Sequence, residues 1–112
     1  MRSVWLLVVL LFVSGCAAKA RIARPSTIQV RVRQQGTLGN PVQLNETQAK
    51  VLYQALAQGR EEWAIFVPTY QVVLGYGSNE EYVLVGDQHF RIGNDTYRVN
   101  DNLDALITTM VH

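Results

Sequence analysis

The chain has 112 residues, carries ten Lys or Arg against nine Asp or Glu, and is 48% apolar. That length holds one domain, and near-neutral charge with so large an apolar share excludes a disordered acidic or basic tail. A single cysteine excludes a disulfide framework, and no basic helix or aromatic-basic platform marks a nucleic-acid binder.

Arg2 precedes an unbroken apolar run from Val4 to Val13. A basic start, a run of that length and then small residues is the layout of a secretory signal. A membrane span needs roughly 20 apolar residues, whereas Ser14 and Gly15, then Lys19 and Arg21, end this run too early. The run closes on Val13-Ser14-Gly15-Cys16, which resembles the lipobox of bacterial lipoproteins. The resemblance implies a signal peptide over residues 1–15, cleavage before Cys16, and a diacylated Cys16 as first residue of the mature chain. It also accounts for the lone thiol. In such lipoproteins an Asp after the cysteine favours inner-membrane retention, so Ala17 implies the outer membrane, with the domain facing the periplasm. A second cleavage site competes: Ala18-Lys19-Ala20 has the A-x-A form and would leave an unlipidated chain starting at Arg21.

Residues 16–26 are expected to be the lipidated Cys and a short tether. Lys19, Arg21, Arg24, Arg31 and Arg33 follow one another with no acid between them, the first acid after the signal being Glu46. Beside a lipid anchor such charges attract anionic headgroups, by about 1 kcal/mol each close to the surface. A solvated tether followed by the outward face of a strand has the same pattern.

A single domain is expected over residues 27–112. Thr27 to Arg33 alternates apolar and polar with period two, as a half-buried strand does. Gln34 to Pro41 is a turn-rich loop, and Val42 and Leu44 suggest a short second strand. Asn45 suits a helix N-cap, with Gln48 completing a capping box. Ala49, Leu52, Tyr53 and Leu56 then form one apolar stripe, and Gly59 is placed to end the helix in a left-handed conformation. Trp63 to Val67 is continuously apolar and closed by Pro68, which predicts a buried strand. From Tyr70 a meander is expected, with Tyr70–Tyr76, Tyr82–Val85, His89–Ile92 and Thr96–Val99 joined by Gly, Asn and Asp turns. Asn100 or Asp101 caps a last helix striped by Leu103, Leu106, Ile107 and Met110. The sum is an α+β domain, an antiparallel sheet of about five strands with two amphipathic helices on one face.

Few residue patterns carry chemistry. Two residues apart, Asp87 and His89 would share one side of a strand as half of a metal or acid-base site, but zinc needs three or four ligands and the other histidine is His112, so Asp87 is expected in a tight turn with Gly86 and His89 on the exposed face of the strand. Ser78 lacks the G-x-S-x-G elbow. Glu61-Glu62 and Glu80-Glu81 are adjacent pairs whose carboxylates point apart, unlike glycosidase acids. The glycines form no phosphate-binding loop. No catalytic set, metal site or cofactor is therefore expected. The tyrosines are the stronger signal. With the helices on one face, Tyr70, Tyr76 and Tyr82 are candidates to line the other as a partner surface, since Tyr supplies large, rigid contact area.

The expected function is that of a non-enzymatic, lipid-anchored envelope protein binding another envelope protein. A lipoprotein of the inhibitor, immunity or exclusion class, acting against a hydrolase, toxin or phage, is the alternative, and a small hydrolase ranks third. Similarity to lysozyme-inhibitor lipoproteins stops at the anchor and the size, because their paired cysteines are absent.

Overall fold

The computed structural model describes residues 18–34 and 36–111; the expected signal peptide over residues 1–15 and the expected lipidation site Cys16 lie outside the described residues. Among the described residues there are eight strands and two helices. The strands are β1 (Thr27–Gln34), β2 (Thr37–Leu38), β3 (Val42–Gln43), β4 (Arg60–Glu61), β5 (Tyr70–Tyr76), β6 (Asn79–Gly86), β7 (His89–Ile92) and β8 (Asp95–Arg98). The helices are α1 (Glu46–Ala57) and α2 (Leu103–Val111). All strands join one sheet in the order β2-β1-β5-β6-β7-β8-β4, with β3 pairing on β1 as well. Every strand pairing is antiparallel. The α+β class holds, and the expectation of about five strands was an undercount. Of the three two-residue strands, β3 falls where Val42 and Leu44 suggest a short strand, while β2 and β4 are too short to show a period.

Register puts one set of side chains under the helices. Ile28 pairs with Leu74, Val30 with Val72, Val72 with Val83, Tyr70 with Val85, and Val85 with Phe90. All of these are buried in one core with Leu52, Ala55 and Leu56 of α1 and with Leu103 and Ile107 of α2. Alternation along each strand sends Arg31, Gln71, Tyr82, Leu84, Arg91 and Thr96 to the opposite face.

Local chemistry sets the helix ends. The Asn45 side chain accepts from the Gln48 N–H at 2.8 Å, and Gln48 Oε1 accepts from the Asn45 N–H at 3.1 Å. At the other end the expectation fails: Gly59, which follows the C-cap Gln58, does not take a positive φ. Gly59 is needed for space instead, since a Cβ there would lie 2.6 Å from the Phe90 ring. Neither Asn100 nor Asp101 caps α2. Asn102 does, its Oδ1 accepting from the Ala105 N–H at 3.0 Å.

Residues 18–26, expected as tether, pack onto the domain. Ala20 and Ile22 are buried in the core. The Glu61 N–H donates to the Ala18 carbonyl at 2.7 Å, the Ala20 N–H to Gly59 at 2.8 Å, and Tyr53 and Tyr76 hydroxyls donate to the carbonyls of Ile22 and Ala23. Ala18 to Ala20 therefore lie along the outer edge of β4.

Candidate functional site: an apolar strap across the sheet

Between β4 at the sheet edge and β5 near its middle, the chain must cross β8, β7 and β6. It does so over the face opposite the helices, as an extended strap spanning residues 62–69. The expected strand at Trp63–Val67 is this strap, and no strand pairs with it. Its ends are fixed by hydrogen bonds from the Glu62 N–H to Thr96 and from the Thr69 N–H to Val85, 2.9 and 2.8 Å long.

An extended chain lying on a surface turns alternate side chains toward and away from it. Ala64, Phe66 and Pro68 turn inward and are half-buried, and the Phe66 ring stacks on His89 at 5.8 Å between centroids. Gly86 permits the close approach: a Cβ there would meet the Val67 carbonyl well inside van der Waals contact and lie 3.0 Å from the Phe66 ring. The outward set is Trp63, Ile65 and Val67, which are 87%, 87% and 80% exposed. Scattered exposed apolar residues are ordinary, but these three large ones are aligned on one short segment as a continuous apolar ridge. A recess of about 310 Å³ runs along the strap, lined by Ile65, Phe66, Leu84 and the arginines 33 and 91.

The strap is pinned at its start by charge. His89 Nε2 lies 3.1 Å from Glu62, and Arg98 lies 3.7 Å from the same carboxylate. Asp87 occupies the β6–β7 turn, as its place after Gly86 leads one to expect, in a left-handed conformation (φ 53°), its carbonyl accepting from the Leu103 N–H. Among the described residues no three His, Cys, Asp or Glu side chains gather as a metal site would require.

The three tyrosines proposed as a partner surface do not come together. Tyr70 is buried on the helix side, its hydroxyl 2.7 Å from that of Thr108. Tyr76, on the same side, donates to Ala23. Tyr82 alone of the three is exposed on the strap side. A cleft of about 510 Å³ on the other side, between residues 24–28 and α1, is edged by Arg24, Glu46 and Lys50. Neither ion pair among the described residues falls in it.

No protein-family model, curated protein or solved structure matches this chain. Among the described residues no helix is long and apolar enough to cross a membrane.

Proposed function

We propose that this chain is a lipid-anchored, non-enzymatic protein of the cell envelope, held by Cys16, that acts by docking through the strap. The observation that carries the reading is the outward set Trp63, Ile65 and Val67, three large apolar side chains left in water on one short segment. The catalytic reading has little support: the imidazole nearest the strap is engaged by Glu62 and stacked on Phe66. The lipobox-like segment supplies the anchor, and Ala17 favours the periplasmic face of the outer membrane. A protein partner, expected from the sequence, and the bilayer itself are the two occupants such a surface admits.

Site-specific photocrosslinking in cells tests the docking surface. Probes at positions 65 and 67 are expected to give defined adducts that a probe at Val51, an exposed apolar position on α1, does not. Equal reaction with solvent at all three positions would end the proposal. Metabolic labelling with a palmitate analogue tests the anchor, and label that persists in Cys16→Ala would rule it out.

A further inference from the structure

Resting on that lipoprotein reading, we infer that the occupant of the strap is the bilayer surface: Trp63, Ile65 and Val67 enter the headgroup region beside the anchor and fix how the domain sits on its membrane. Three observations converge on it.

Chain length is the first. Ala18 is hydrogen-bonded to Glu61, and Lys19 pairs with Arg60. Cys16 is two residues ahead of Ala18 and Trp63 two residues beyond Glu61. Two residues of chain reach at most about 7 Å. An acylated Cys16 thus cannot leave the strap's end of the molecule, and the bilayer that holds the acyl chains is brought to the strap.

Side-chain type is the second. Tryptophan belongs at the membrane–water boundary, where an apolar ring and a polar N–H are both satisfied, and bulky aliphatics complete the buried face of interfacial segments. A protein partner would be served by these residues too, but not by their position beside the anchor.

Charge is the third. Arg31, Arg33, Arg60, Arg91 and Arg98 all fall in the alternation that faces the strap side, and Glu62 and Glu80 are the acids in it. Glu62 is offset by Arg98, which leaves Arg31, Arg33, Arg60 and Arg91 as the arginines of this face with no ion pair among the described residues, and Glu80 lies toward the far hairpin, where it pairs with Gly75. Arginines around an apolar ridge extend their stems along it and place guanidinium groups among anionic headgroups.

The mature protein carries its own reporter. Of the two tryptophans, Trp5 lies in the signal, so after cleavage the emission comes from Trp63. The mature protein, purified from cell membranes, is reconstituted into vesicles of phosphatidylcholine and phosphatidylglycerol, with brominated phosphatidylcholine in a parallel set. Expected are a blue-shifted emission, strong quenching by the brominated lipid, and protection from aqueous acrylamide. Ile65→Ser/Val67→Ser, which keeps the reporter, is expected to lose most of the shift and of the lipid quenching. Intact mass distinguishes the two ways of failing. Acyl mass on the protein with Trp63 open to acrylamide overturns the inference and leaves the anchor standing. Absence of acyl mass overturns both. Protection in native membranes but not in pure lipid vesicles assigns the strap to a protein and overturns the bilayer.

Discussion

Gly86 and the outward strap residues act on the same segment from its two sides, and substitutions there should behave in opposite ways. Gly86→Ala drives a methyl group into the Val67 carbonyl and the Phe66 ring. It is expected to lift the strap and cost about 1–3 kcal/mol, the usual range for overpacking, seen as a lower denaturation midpoint. Trp63→Ser, Ile65→Ser and Val67→Ser remove side chains that touch little of the fold. Each should leave stability within about 0.5 kcal/mol of the parent while weakening docking. Stability loss from the outward set comparable to that from Gly86→Ala would mean that those residues are core, not surface. At this scale the sequence was least legible. Tyr70 and Tyr76 have the composition of a partner surface, but their side of β5 is set by register against Val85 and Asn79. A strand apolar on both faces, with Val72, Val73 and Leu74 all buried, does not announce which side faces the helices.

Elements were readable wherever a local rule closed on itself. Asn45 and Gln48 named the start of α1 to the residue, because a capping box is built within four consecutive residues. Asn45→Ala is expected to cost about 1 kcal/mol, the usual loss for a removed cap, with Gln48→Ala costing less because the Asn45 side-chain bond survives. Thermal melts of the two variants check the order. The meander was equally open, since Gly77 and Gly93 sit at positive φ in the turns joining its strands. The strap was not. Its residues do alternate inward and outward with period two, but all five from Trp63 to Val67 are apolar, so the alternation has no polar phase to reveal it. A run of that kind reads as a strand buried on both faces. Only the sheet order shows that it must cross three strands to reach its partner.

For the whole molecule, the tyrosine hydroxyls that fasten residues 18–26 connect stability to pH. Tyr76, which holds the Ala23 carbonyl, has its pKa raised above 10.0, first by desolvation and then by Glu81 and Tyr53. Tyr97, stacked on Phe90 under the sheet, is raised as well, again chiefly by desolvation, with Asp95, Glu61 and Glu81 adding to it. Both shifts favour the protonated phenol in the folded chain. Their contribution is therefore fully present below the ordinary tyrosine value and is lost as pH rises through the folded pKa, since the unfolded chain gives up these protons first. Denaturation midpoints followed into the alkaline range should hold level up to about pH 10 and then fall, and the fall should be shallower in Tyr76→Phe and Tyr97→Phe. The two variants part company at the N-terminus. Tyr76→Phe removes the bond to Ala23, so amide exchange at Ser26, whose N–H donates to Gly75, should quicken at neutral pH. Tyr97→Phe should leave it unchanged. Equal exchange in both would show that the Tyr76 hydroxyl is not what holds the segment, leaving the backbone bonds of Ala18 and Ala20, the Tyr53 hydroxyl and the buried Ala20 and Ile22 to fasten it.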